Sequence, residues 1–265
     1  LLAKRRFPPR VPDLGFIHVL RRWLLIIGAV IAVTGGGTGM KARANHHSLK
    51  GYGITKTGLT PVYPQGFACS PLTSLYASWQ DIDGSRRGEA HSGVDGGRLG
   101  EPIYAPAPGT VVAAWKADWG WGDEGALLIQ HSRAQLNLTD GSAFYYSAFY
   151  HLRFEDAVAF KPGQAIARGQ QLATVFRPGG KQRYLPEVHW EVWEISDAET
   201  LRWIENKHRR PDWVNKTAML IDPLYLLSQE TPPGPNLEVA IVPFEAGKDY
   251  SAFRGFTYIL PCAPI

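Results

Sequence analysis

His91 and Asp95, spaced as His-x-x-x-Asp in HSGVD, and His189, in LPEVHWEVWE, are the residues whose types and spacing can do chemistry. On a strand, residues four apart share a face, so an imidazole and a carboxylate held this way can turn toward one ion. Glycines at 93, 96 and 97 let the backbone bend and approach closely. His189 sits in an alternating run, with Glu187 and Glu191 two residues to either side and on the same face. Two nitrogen donors and one oxygen donor suit a metal centre with three protein ligands and a further position open to water, the arrangement of a hydrolytic zinc site. His151, in FYHL, and Glu187 are then left to take and give protons. Each feature alone has a plain reading, a surface histidine beside a turn or a histidine packed among tryptophan and valine. The ordered set gives the weight.

The elements that must position these residues are short strands. EPIYAPAPGTVVAAWKA reads as a strand, a turn at Pro108-Gly109 and a second strand. GALLIQHS is an aliphatic buried strand, SAFYYSAFYHL an aromatic alternating one, and FKPGQAIARGQQLATVF two Gly-marked turns beside short apolar runs. VHWEVWEI is a further strand. AETLRWIENKHRR alone has helical spacing, at Leu201 and Ile204. The pattern predicts an all-β fold: an antiparallel sandwich or barrel-like domain of short strands with Gly/Pro turns and one short helix late in the domain.

HSGVDGG, followed by the G-x-P-x-x-A-P-x-x-G-T-V-V run from Gly100 to Val112, resembles the first half of a lysostaphin-type zinc metallo-endopeptidase. FYHL resembles the Tyr-x-His-Leu element of that family, VHWEVWE its His-x-His-Phe-Glu element, and IDPLYLL its closing Asn/Asp-Pro-x-x-Tyr-Leu. KPGQAIARGQQLATV resembles the segment leading to the second metal element. The likeness covers about residues 88–228. It implies an antiparallel β sandwich holding Zn2+ through His91, Asp95 and His189, and a bacterial hydrolase cutting stem or cross-bridge peptides of peptidoglycan.

The departure is Glu187, which stands where the family has the first histidine of its second element. A carboxylate there can act as the general base for the attacking water, or it can bind the metal and close the site. His151 is expected to stabilise the oxyanion or protonate the leaving amine. The alternative reading is a weak or silent domain that binds the wall or activates a partner hydrolase. A sugar-transport phosphoacceptor domain shares the A-P-x-x-G-T-V turn, but it does not call for a His-Asp-His set.

Other residues carry less. His131 reads as near the site or packed, His46 and His47 as a pair ahead of the domain, and His208 as part of a solvated basic face. Trp115 reads as core, whereas Trp119 and Trp121 beside a Gly-rich turn could line a groove. Glu191 can orient a ligand, and Glu194 falls on the opposite face. Asn137 and Asn215 match glycosylation sequons. Cys69 and Cys262 can form one disulfide or remain two buried thiols.

Charge is unevenly spread. Residues 1–44 carry eight Lys/Arg and one acid, so the overall +4 leaves residues 45–265 at −3. A mildly acidic body lacks the clustered basic face of a nucleic-acid binder. Arg21-Arg22, the apolar run from Trp23 to Val33 and Ala42-Arg43-Ala44 follow the signal-peptide pattern. Residues 1–44 are thus expected to be a signal peptide or membrane anchor, 45–87 a turn-rich lead-in, 88–228 the catalytic-type domain, and 229–265 a Pro-rich linker and tail. Export to the periplasm or cell envelope follows, with a membrane tether as an option.

Overall fold

Gly109–Lys116 alternates buried and half-buried residues along its length, the signature of a strand with one face in the core. Glu124–Ser132, Phe144–Arg153 and Val188–Ile195 are buried almost continuously, so the sheet's central strands are covered on both faces. The computed structural model describes residues 54–117, 123–177, 185–196, 203–205, 211–213, 217–229 and 237–265.

The lead-in supplies β1 (Thr60–Val62), β2 (Phe67–Cys69) and β3 (Leu72–Ser74). Next come β4 (Val94–Gly96), β5 (Pro102–Tyr104), β6 (Gly109–Lys116), β7 (Glu124–Ser132) and β8 (Phe144–Arg153), then helix α1 (Phe154–Val158). β9 (Ala165–Ile166), β10 (Gln171–Thr174) and β11 (Val188–Ile195) follow. The chain continues through β12 (Trp203–Glu205), β13 (Pro211–Trp213), β14 (Met219–Ile221), helix α2 (Leu224–Leu227), β15 (Glu238–Ala240) and β16 (Cys262–Pro264).

The main sheet runs β3-β4-β11-β8-β7-β6-β9, with β14 also paired to β11, and every neighbouring pair in it is antiparallel. The expected mostly-β antiparallel architecture is therefore present. The expected helix over 198–210 is corrected in its described part: Trp203–Glu205 is strand β12, paired with β13. Trp203 lies opposite Trp213, and its ring packs 5.1 Å from that of Trp115. Cross-strand packing of β-favouring residues overrides a short helical spacing. The late helix is instead α2, inside IDPLYLL, where Asp222 Oδ1 accepts a hydrogen bond from the Leu224 N–H. His208 and residues 231–236 lie outside the described residues, as do Trp119, Trp121, Asn215, His46 and His47. No helix among the described residues is long and apolar enough to cross a membrane.

Residues 237–265 do more than trail the domain. β15 pairs with β1, β16 pairs with β2, and Cys69 and Cys262 form a disulfide. Phe256, Tyr258, Ile259 and Leu260 are buried. Phe256 packs against Trp190 of β11, whose cross-strand partner Phe149 stacks on it. The buried Arg168 guanidinium donates to the carbonyls of Pro106 and Gly255, and the Asn137 amide donates to those of Ser251 and Phe253. The tail thus covers the face of β11 that carries Trp190. By alternation, His189 and Glu191 occupy the other face.

Candidate metal centre

β4 and β11 are antiparallel neighbours in a register that sets Asp95 directly opposite His189. His91 reaches the same point from the chain just before β4. That chain presses hard on β11: a Cβ at Gly93 would stand 2.2 Å from the Trp190 carbonyl oxygen. Only a residue without a side chain allows this approach.

The result is a triangle of donor atoms. His91 Nε2 is 3.1 Å from Asp95 Oδ1 and 3.0 Å from His189 Nδ1, and His189 Nδ1 is 2.7 Å from Asp95 Oδ1. All three residues are buried, and they form a group able to share one metal ion.

The outer atoms of each residue fix which lone pairs face inward. His91 Nδ1 lies 3.0 Å from the Leu75 carbonyl oxygen, which can only accept, so Nδ1 carries the proton and Nε2 its lone pair. His189 Nε2 lies 3.3 Å from Glu191 Oε1, which favours a proton on Nε2 and a lone pair on Nδ1. Glu191 is held in turn by the Tyr150 hydroxyl and the Trp193 indole N–H. Asp95 Oδ2 accepts from Arg87 Nη2 at 2.6 Å, leaving Oδ1 for the cluster. Three lone pairs then converge, and a cation must sit among them. Ligands about 2.0–2.1 Å from a tetrahedral metal stand about 3.3 Å apart. The observed spacings need only a small expansion, so the donor set fits a metal.

Without a metal, a proton fills this role. Burial opposes charge on His189, but the hydrogen bonds it donates to Asp95 and Glu191, and their charges, raise its pKa to about 9. Burial lowers that of His91, with Asp95 opposing the fall. Burial would raise that of Asp95, yet the two histidines hold it well below the usual carboxylate range.

Glu187 lies one residue before β11, on the His189 side of the strand. Its Oε2 is buried and meets no hydrogen-bond partner among the described residues. Burial first, then the Asp95 charge, push its pKa up to about 8, with His189 opposing. A buried carboxylate oxygen with nothing to bind is costly, and it marks a place for a water, a metal or a substrate proton.

His151 stands beside Tyr150, the cross-strand partner of His189. Strict alternation would turn it to the opposite face. A left-handed φ of 57° breaks the alternation, and its ring lies 6.1 Å from that of His189. Its Nδ1 is 3.0 Å from Glu124 Oε1.

His131 is not at this centre. It is fully buried, bonded to the Pro108 carbonyl and the Ser147 hydroxyl, and in ring contact with Phe256. Trp115 is core, and Ser142 Oγ donates to Glu194 away from the cluster. Sequence reasoning overlooked Arg87, Ser74 and Glu124. Ser74 Oγ lies 3.2 Å from His91 Nδ1. For Glu124 a signal existed, a carboxylate opening an otherwise apolar strand. For Arg87, nothing in RRGEAH separates it from Arg86.

Residues 89–201 match the model of Peptidase family M23. This region belongs to peptidase family M23. The M23 region contains His91, Asp95, His151, Glu187 and His189. Among solved structures, the chain is similar to a zinc-containing peptidase from Vibrio cholerae, at 22% identity and TM-score 0.34. That match covers 55% of this chain and 36% of the other, so the chain spans about a third of the Vibrio protein's length. It is also similar to LytU, at 22% identity and TM-score 0.35, covering 49% of this chain and 76% of that one. The catalytic domain of the antimicrobial peptidase lysostaphin from Staphylococcus simulans matches at 19% identity and TM-score 0.31, covering 60% of this chain and 90% of that one. No curated protein matches.

Proposed function

We propose that the protein is a zinc-dependent endopeptidase that hydrolyses peptide bonds in the stem or cross-bridge peptides of bacterial peptidoglycan. The observation that carries this reading is the convergence of three buried lone pairs, on His91, Asp95 and His189, within an M23 region. His91 Nε2, Asp95 Oδ1 and His189 Nδ1 would hold Zn2+. Zinc, when bound, supplies a Lewis acid that lowers the pKa of water and polarises a carbonyl. Glu187, whose buried Oε2 meets no hydrogen-bond partner among the described residues, takes a proton from the attacking water. His151 donates to the oxyanion or to the departing amine. Arg87 holds Oδ2 of Asp95 and so keeps that carboxylate turned.

Export belongs to the same proposal. The signal-like pattern of residues 1–44 supports it, and so does the Cys69–Cys262 disulfide, because such bonds persist in oxidising compartments. N-terminal sequencing of exported protein should start near Asn45, and an intact leader on cytoplasmic protein would overturn this part.

The deciding experiment is metal analysis beside digestion of purified peptidoglycan. One zinc per chain and release of new amino termini are expected. Zinc without cleavage would favour a silent wall-binding domain with Glu187 as a fourth ligand, and neither would end the reading.

A further inference from the structure

We propose that Glu124 is a positioning residue for His151, holding its ring with Nδ1 protonated and supporting positive charge on it during peptide hydrolysis; this rests on the hydrolase reading above. Glu124 opens β7 and is fully buried, with Ala126, Leu127, Leu128 and Ile129 following it into the core. A carboxylate in such a place is costly unless paired. Its Oε1 lies 3.0 Å from His151 Nδ1, and its Oε2 meets no hydrogen-bond partner among the described residues. The side chain is therefore built around the histidine.

A carboxylate accepts only, so the proton between the pair belongs to Nδ1, and Nε2 is then the ring atom that would exchange a proton with substrate. A neutral acceptor would orient the ring as well. A charge adds something when the ring becomes an imidazolium, as in the buried carboxylate–histidine pairs of hydrolases. In that step Nε2 gives its proton to the amine nitrogen as the carbonyl C–N bond breaks, and the ring returns to the neutral Nδ1–H form. The proton is replaced from the attacking water, through Glu187 or solvent. The left-handed backbone at His151 fits the same design, since it is the departure from strand geometry that brings the ring near His189 while keeping it on Glu124.

The first measurement is the tautomer of His151 by 15N NMR in the wild-type protein. Nδ1–H is expected, with a shift toward Nε2–H in Glu124→Ala; Nε2–H in the wild type would overturn the proposal. The second is kinetic. Glu124→Gln keeps an acceptor oxygen and removes the charge, so kcat should fall about 10- to 100-fold with KM and zinc content nearly unchanged. In a His151→Ala background the same change should have little effect. An unchanged kcat, or an equal loss in both backgrounds, would overturn it. Failure of the hydrolase reading would look different: the wild type itself would hold no zinc and cleave nothing, while the tautomer would still judge the pair.

Discussion

At Glu187 the protein replaces an expected imidazole by a carboxylate and leaves one of its oxygens buried with no hydrogen-bond partner among the described residues. A base and a fourth ligand respond oppositely to substitution. We favour the base, so Glu187→Gln should keep one zinc per chain and lose activity by about 100-fold or more, because an amide cannot take the proton. Elemental analysis with a peptidoglycan release assay checks this, and higher activity in Glu187→Ala would show the inhibitory ligand instead. The ligand set has its own test. His189→Ala should bring zinc well below one per chain, and full zinc in that variant would refute the assignment. Much of this centre was legible in the sequence, because His-x-x-x-Asp and the alternation of Glu187, His189 and Glu191 are local patterns. Glu124 was not. Its partner lies 27 residues away on another strand, and only the register of β7 against β8 brings them together.

The strands follow the same division. β6, β7, β8 and β11 are visible as period-two or continuous apolar runs, whereas β12 is hidden because three residues carry no period and their pairing with β13 decides their form. The close approach of the His91–Asp95 segment to β11 depends on Gly93. Gly93→Ala would drive a methyl into the Trp190 carbonyl, and something must move. Zinc affinity in this variant should drop by at least about tenfold, as for disturbed ligand supports, while far-UV circular dichroism stays that of a β protein. A different effect belongs to His131 on β7. Burial, opposed by its bond to Pro108, lowers its pKa to about 4. An unfolded histidine titrates near 6.5, so between about pH 6.5 and 4 the unfolded chain binds the extra proton and stability falls as pH falls. The gap of about 2.5 units is worth on the order of 3 kcal/mol in full, and about 2 kcal/mol by pH 5. Urea unfolding of wild type and His131→Gln at pH 7.5 and pH 5 should show the wild type losing that much more than the variant.

The described residues are tied together across a long stretch of chain. The disulfide joins residues 193 apart, and β2 pairs with β16 around it. Replacing Cys69 and Cys262 by serine should lower unfolding free energy by about 2–5 kcal/mol, measured by urea titration without reductant. The sequence offered one Cys69–Cys262 disulfide beside the alternative of two thiols, but not the pairing of β2 with β16 around it. TPPGPN reads as a Pro-rich linker into a tail that can add strands, but nothing local says that Phe256 and Tyr258 in that tail will be core.

That closure also sets a clock. The earliest described strands, β1 and β2, find their partners only in β15 and β16, and the face of β11 around Trp190 is covered by residues near 256. Pairings so distant along the chain are slow to form and give nothing until both halves exist. Until residues 238–264 have been added, β1 and β2 lack these strand partners and the Trp190 face of β11 lacks its cover. Under the export proposed above, a chain crossing unfolded would close these pairings only after its passage.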